Sequence, residues 1–340
     1  MSIFKNKSIL ITGGTGSFGK KITEVILKEH NPKKLIIFSR DELKQSEIQN
    51  VYNPKKYKNL RFFIGDVRDL DRLVTAFQEV DIVIHAAALK QVTTAEYNPI
   101  ETIKTNIAGT ENVVKAANLC GVQKVIALST DKAANPVNLY GATKLVSEKL
   151  IVSANNFYGN NKTRFSVVRY GNVMGSRGSV VPVFKKQIND NIKSFTITSD
   201  KMTRFWMTLR ESVNFVISSL ELMKGGEIFI PKLPSIKITD LAKAMDSKKS
   251  IKIIGVRPGE KLSETLCSQD ESILLIEFKK YFISAPSVSL DHDKPLSLKF
   301  SSFIKSKDGE NGRRVKSDFS YTSSNNSNFL SIKEIKNKIN

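Results

Sequence analysis

The segment "ILITGGTGSFGKKI" constrains most what this chain can fold into. A short apolar run is followed at once by Gly13, Gly16 and Gly19 at three-residue spacing, and then by an amphipathic stretch. Glycines there let backbone N–H groups approach a pyrophosphate at a helix N-terminus, where the macrodipole favours negative charge. A tight structural turn could use the same glycines. The strand–turn–helix context at the start of the chain points instead to a dinucleotide site, with Thr15, Ser17 and Phe18 in the same cradle.

The rest of the first half keeps one rhythm. "SILIT" (8–12), "KLIIFS" (34–39), "RFFIG" (61–65), "DIVIHAA" (81–87), "KVIALS" (124–129) and "RFSVVRYG" (164–171) read as strands. They are apolar on both faces, as parallel strands covered by helices should be. Helical patterns such as "VRDLDRLVTAFQEV" and "PIETIKTNIAGTENVVKAANLCG" lie between them, the second ending at Gly121 as a C-cap. The fold expected is α/β: a Rossmann-type doubly wound parallel sheet with a smaller C-terminal substrate-binding lobe. Residues 1–172 would form the nucleotide-binding domain with the catalytic residues. Residues 173–300 would be mainly the lobe, with returns to the main sheet such as "GEIFIP" (226–231). The Ser-, Asn- and Lys-rich tail, 301–340, would be partly disordered or draped over the body.

Composition narrows the function classes. The 53 basic and 33 acidic residues leave a net charge of +20, yet no basic run marks a nucleic-acid arm. The lysines are scattered, which reads as a basic surface able to draw in small polyanions such as nucleotides. No apolar run reaches the length of a membrane span, and no signal peptide is recognisable, so no membrane partner is expected. Two cysteines, Cys120 and Cys267, suit a reducing cytoplasm, and no metal site is expected.

The cofactor's ribose should be read at the end of the second strand, in "IIFSRDELK". Ser39 and Arg40 stand there, with Lys44 one helical turn on. An NAD site usually places an acid at this point. Arg40 could pair with a 2′-phosphate, which favours NADP over NAD; Asp41 keeps NAD open unless it is a helix N-cap. Asp66 and Val67 of "GDV" would lie near the adenine, and the small residues of "HAAALK", such as Ala86, along the inner face.

Two reactions are legible in "ALSTDKAANPVNLYGATK". Tyr140 and Lys144 lie i, i+4 on one helix face, where a lysine ammonium would lower the phenol's pKa and make it a base for an alcohol proton. Thr130 would hold the same oxygen. A ketone so formed acidifies the neighbouring C–H, and a hydroxyl one carbon further can then leave as water. That elimination needs a base and an acid, and Asp131 and Lys132 fit. A dry pocket should raise the Asp131 pKa and lower that of Lys132. The plain alternative is a polar turn capped by Asp131.

These segments, with "SRDELKQSE", "FFIGDVRDLDRL", "RYGNVMGSRGSVVP", "MTRFW" and "IIGVRPGEKLSE", resemble the inverting UDP-N-acetylglucosamine 4,6-dehydratases, extended short-chain dehydrogenases, in particular the pseudaminic-acid type. The resemblance implies a closed hydride cycle on UDP-GlcNAc. Tyr140 deprotonates the C4 hydroxyl, Lys132 takes the C5 proton, Asp131 protonates the C6 oxygen, and C5 is reprotonated on the opposite face. It further implies that Glu42 and Val173 join the cofactor contacts with Lys90, Tyr140 and Lys144. Lys90 and Asn172 would also hold the sugar, and the loop of Arg177, Gly178, Ser179 and Val180 would close over it. Arg257 would pair with pyrophosphate, Glu260 with ribose, and Arg204 is a further pyrophosphate candidate. "RPGEK" could instead be a helix start with Pro at N1. A homo-oligomer, often a hexamer, is also implied. The chain departs from the family pattern at Gln91, Thr93, Thr94 and Ser263. Rival readings are a UDP-sugar 4-epimerase and a non-catalytic NADP-binding regulator.

Overall fold

The computed structural model describes residues 2–53, 55–157, 163–286 and 301–339; 287–300, within the segment assigned to the lobe, lie outside them, as do the single-residue termini. Six strands run in the first half: β1 (Ser8–Thr12), β2 (Lys34–Ser39), β3 (Leu60–Ile64), β4 (Ile82–His85), β5 (Lys124–Thr130) and β6 (Arg164–Tyr170). They pair in parallel in the order β3-β2-β1-β4-β5-β6, with full-length register between β5 and β6. β1 is buried along its whole length, as a Val/Ile/Leu-type central strand requires. Chain order reverses between β1 and β4, and it is outside the strand C-termini at such a switch point that a crevice opens.

The connecting helices are α1 (Ser17–Glu29), α2 (Glu42–Val51), α3 (Leu70–Phe77), α4 (Val92–Tyr97), α5 (Pro99–Ile103), α6 (Gly109–Leu119) and α7 (Leu139–Phe157). Asp41 and Asp69 cap α2 and α3 through their side chains. The long helical pattern after Pro99 is one continuous rod except for a π turn at Lys104–Ala108. It ends where Gly121 adopts φ +66°.

Beyond β6 the chain alternates between two cores. β7 (Asn172–Val173), β9 (Thr203–Met207) and β11 (Ser235–Lys237) form a small sheet, and β8 (Ser194–Ile197) pairs with β12 (Ser250–Ile253). With α8 (Val180–Asn189) and α10 (Ile238–Met245) they enclose a second apolar cluster around Phe184, Phe195, Trp206 and Leu241. Between them α9 (Leu209–Leu222), started by a Thr208–Glu211 capping box, leads back to β10 (Ile228–Pro231), which joins β6 in parallel. β14 (Leu275–Glu277) and β15 (Tyr281–Ser284) then extend that edge antiparallel.

The chain from 301 to 339 lies against both cores. β16 (Arg313–Arg314) adds the last strand of the ten-stranded sheet, and β17 (Tyr321–Thr322) pairs with β13 (Thr265–Cys267). The final helix, Ile332–Ile339, buries Ile335 in the second cluster.

Candidate active site

A cleft of about 700 Å³ runs along the C-terminal ends of β1, β2, β4, β5 and β6. At one end the β1–α1 turn is shaped by backbone. Gly13 holds φ +65°, and a β-carbon there would lie 2.8 Å from the backbone of Ala87. A β-carbon on Gly19 would lie 2.4 Å from the Gly14 carbonyl oxygen. The α1 N-cap is Gly16, with no side-chain cap and no acid in the first turn. The first N–H groups of α1 therefore have no capping side chain and no acid of their own turn to satisfy them, which fits a pyrophosphate.

At the end of β2, Arg40 faces Asp66 at 3.5 Å, and Asp66 is also bound by Arg68 at 2.7 Å. Asp41 takes up the α2 N-cap and is paired with Lys44, so its carboxylate is committed within the helix turn. Buried Ser39 accepts from Gln45 at 3.0 Å.

At the other end the side chains carry the site. Thr130 ends β5 and its Oγ1 donates to Asp131 Oδ1 at 3.0 Å. Lys132 Nζ donates to the same Oδ1 at 3.0 Å and meets Glu264 Oε1 at 3.0 Å. The turn 131–133 sits tightly on α7: a β-carbon on Gly141 would lie 2.2 Å from the Lys132 carbonyl oxygen. That contact fixes Tyr140 and Lys144 relative to Asp131 and Lys132. Gly171 is equally tight, its built β-carbon meeting Phe205 at 2.5 Å and Asp131 Oδ2 at 3.4 Å.

The π turn enters here. Asn106 holds Leu89 through both its backbone N–H and carbonyl, at 2.8 and 2.9 Å, and donates to Thr143 Oγ1 at 3.0 Å. It thereby ties the "HAAALK" loop to the Tyr140 helix. Below Lys144, Glu148 is 1% exposed and engaged by Arg169, which also binds Glu271. The loop 176–179 reaches back to the glycine turn, Arg177 N–H donating to Ser17 Oγ at 3.2 Å. Gly178 (φ +74°) lies against Gln91, whose amide nitrogen would be 2.0 Å from a β-carbon there.

Two electrostatic expectations are corrected. Burial alone would lower the Lys132 pKa, but Asp131 and Glu264 outweigh it and hold the ammonium above its ordinary value. Burial likewise pushes Tyr140 up, to about 12, against the opposing charge of Lys132, so the phenol is raised and not lowered. Lys144 is lowered by burial to about 8, Glu148 opposing. Asp131 does move as expected: burial raises it, with Lys132 opposing. Glu264 is pushed up by burial and brought below its ordinary value by Lys132 and Arg204.

The cleft is lined by Gly13, Thr15, Gly16, Ser17, Phe18, Gly19, Ser39, Arg40, Asp41, Lys44, Asp66, Val67, Ala86 and Lys90 from its first part. Thr130, Asp131, Lys132, Tyr140, Lys144, Asn172, Val173, Arg177, Gly178, Ser179, Arg257 and Glu260 complete the expected set. Three expected residues do not reach it. Glu42 begins α2 on the exposed side, Val180 packs against the second cluster, and Arg204 turns to the carbonyls of Thr203 and Leu262 and to Glu264. Unread in the sequence were Glu264, Gly141, Gly171 and Asn106. Only Gly141 left a local signal, a glycine in the first turn of a helix beside the tyrosine. Several buried oxygens lining the cleft lack a partner among the described residues: Thr105 Oγ1, Ser129 Oγ, Asp131 Oδ2, Asn172 Oδ1 and Ser179 Oγ. A lining so rich in unused polar atoms fits a polar ligand. The described residues hold no membrane-length apolar helix and no cluster of metal-ligating side chains.

The chain is similar to known proteins in sequence and fold. A protein of Campylobacter jejuni named UDP-N-acetylglucosamine 4,6-dehydratase (inverting) is 56% identical over 99% of this chain and 98% of its own. A UDP-glucose 4-epimerase of Rickettsia bellii is 46% identical over 82% of this chain and 83% of its own. The crystal structure of Pen from Bacillus thuringiensis superposes with TM-score 0.87 at 40% identity, covering 99% of this chain and 98% of that one. The family model for polysaccharide biosynthesis proteins matches residues 9–286, and the chain belongs to that family.

Proposed function

We propose that the protein is a hydro-lyase, a UDP-N-acetylglucosamine 4,6-dehydratase that inverts C5. The observation that carries this reading is the pair of buried Asp131 and half-buried Lys132, 3.0 Å apart on the same cleft as Tyr140 and Lys144. Alcohol oxidation has use for Thr130, Tyr140 and Lys144 only. An adjacent carboxyl and amine are what elimination adds. The full-length similarity to the Campylobacter enzyme supports the same reading.

Gly13, Thr15, Gly16, Ser17, Phe18 and Gly19 would hold a dinucleotide's pyrophosphate, with Ser39, Arg40, Lys44, Asp66, Val67 and Ala86 around its adenosine. NADP is favoured over NAD because Asp41 is committed to the α2 cap while Arg40 and Lys44 stand beside it. When bound, that cofactor supplies a hydride acceptor and donor and, oxidised, a positive charge.

The protein's own groups handle the protons. Thr130 and Tyr140 hold the C4 hydroxyl, and Tyr140, once it has released its own proton to solvent beside the positive charges of Lys144 and the oxidised cofactor, takes the hydroxyl's proton as a phenolate. At rest Lys132 is the protonated member of its pair. Moving that proton to Asp131 Oδ1 across 3.0 Å gives a neutral amine and a carboxylic acid with no change in total charge. Lys132 then takes the C5 proton, and Asp131 gives its proton to the C6 oxygen, which leaves as water. C5 regains a proton on the other face. Two protons enter the protein, from the C4 hydroxyl and C5, and two leave, to water and to C5. Arg257 would pair with the UDP pyrophosphate and Glu260 with ribose, while Lys90, Asn172 and the 177–179 loop hold the sugar.

The product would serve pseudaminic acid or a related surface glycan, made in the cytoplasm. A homo-oligomer fits the exposed apolar Tyr97, Ile100 and Ile103 on α4 and α5. The protein incubated with UDP-GlcNAc in deuterated water should yield a product lacking one water, with deuterium at C5. A product of unchanged formula, epimerised at C4, would establish the epimerase instead.

A further inference from the structure

Glu264 has no place in the reaction as written, and its setting asks for one. It immediately precedes β13, is 2% exposed and does not line the cleft. Its Oε1 lies 3.0 Å from Lys132 Nζ and 3.6 Å from Arg204 Nε, while its Oε2 is buried without a hydrogen-bond partner among the described residues. It is seated by the far end of the chain. Glu264 N–H meets Ser323 Oγ at 2.9 Å, Ser323 N–H donates to the Glu264 carbonyl at 2.8 Å, and Ser323 Oγ is 2.8 Å from Thr203 Oγ1. Burying a second carboxylate beside an amine that already has Asp131 costs desolvation with little return in packing.

We propose, resting on the dehydratase reading, that Glu264 is a positioning residue: it holds the Lys132 amino group against Asp131 and stabilises the ammonium that forms when Lys132 takes the C5 proton. A C–H beside a ketone is a weak acid, so the amine that removes it must be a strong base. A carboxylate behind the amine stabilises the protonated product and strengthens that base. The charged and titratable groups facing Lys132 come from every side. They are Asp131 on its own turn, Glu264 and Lys261 before β13, Arg204 on β9, Lys90 after β4 and Tyr140 on α7. Two acids are in direct contact with the amine, and of those two only Glu264 stands off the cleft.

The test compares wild type, Glu264→Gln and Glu264→Asp in two measurements. The first is solvent-deuterium incorporation at C5 of UDP-GlcNAc across pH. Glu264→Gln should slow incorporation by about tenfold or more, and its rising acid limb should move about one pH unit or more downward, because the Asp131–Lys132 pair, titrating as a unit, loses its first proton sooner without that carboxylate. Glu264→Asp, which keeps the charge, should leave the limb near its wild-type position. A merely structural role would lower the rate and leave the limb where it is, and that result overturns the proposal. The second needs no substrate: trace acetylation of Lys132 against pH, read by peptide mass spectrometry. In wild type its midpoint should lie at or above that of exposed lysines, and it should fall in Glu264→Gln if that variant folds. A wild-type midpoint below that of exposed lysines would overturn the proposal on the wild-type protein alone. Failure of wild type to dehydrate UDP-GlcNAc would instead sink the dehydratase reading, while the acetylation result would still decide whether Glu264 governs Lys132.

Discussion

At the glycine-turn end of the cleft the working groups are backbone N–H donors, and side chains are mostly kept away. Gly13, Gly16 and Gly19 lie within seven residues of one another in sequence, and of the charged side chains nearby Asp41 is committed to a helix cap and Arg40 is exposed. At the Asp131–Lys132 end the working groups are buried and half-buried polar side chains, gathered from 130–132, 140–144, 204 and 264 and locked by 323. The first end tolerates changes of charge and not of shape. The second tolerates neither, because each buried charge is compensated by a specific neighbour.

That contrast can be broken by substitution. Lys132→Ala should show the largest effect. Dehydration of UDP-GlcNAc should fall by at least about a hundredfold, the contribution expected of a positioned base, while dinucleotide binding by fluorescence titration stays at wild-type strength. Full turnover in that variant would remove Lys132 from the chemistry. Gly13→Ala should come next, from the opposite end. A positive φ costs a residue with a β-carbon about 1–2 kcal/mol, before the 2.8 Å approach to Ala87 is relieved. Dinucleotide affinity and the unfolding temperature should therefore both drop; unchanged values would mean the turn is not shaped as described. Arg40→Ala should be the mildest. Arg40 is 53% exposed, so losing it should reduce preference for NADP over NAD by about tenfold or less and leave the unfolding temperature alone. A variant with undiminished preference would give the 2′-phosphate to another residue.

The same contrast explains what could be read in advance. The strands expected at 8–12, 34–39 and 124–129 are β1, β2 and β5 to within a residue, because hydrophobic runs between turn signals are local facts. The glycine turn was legible for the same reason. Asp131, Lys132, Tyr140 and Lys144 were visible as types at a spacing, but not the electrostatics that hold Lys132 charged. Those come from Asp131 together with Glu264, which lies more than a hundred residues away in sequence where no local pattern announces its contact with Lys132. Arg204 was misplaced for a related reason. From sequence it is a free cation beside a phosphate site; in the fold a buried carboxylate claims it. The π turn around Asn106 was hidden inside an uninterrupted helical periodicity.

The Ser323 anchor has a consequence for how the protein is born. A chain leaving the ribosome completes β1 through β6 and the glycine turn long before position 323 emerges, since synthesis and folding proceed from the N-terminus. A nascent or prematurely terminated molecule could thus grip a dinucleotide while Glu264 still lacks its clasp. Competence to expel water would thus wait on residue 323, so a truncation before it should bind cofactor without making product.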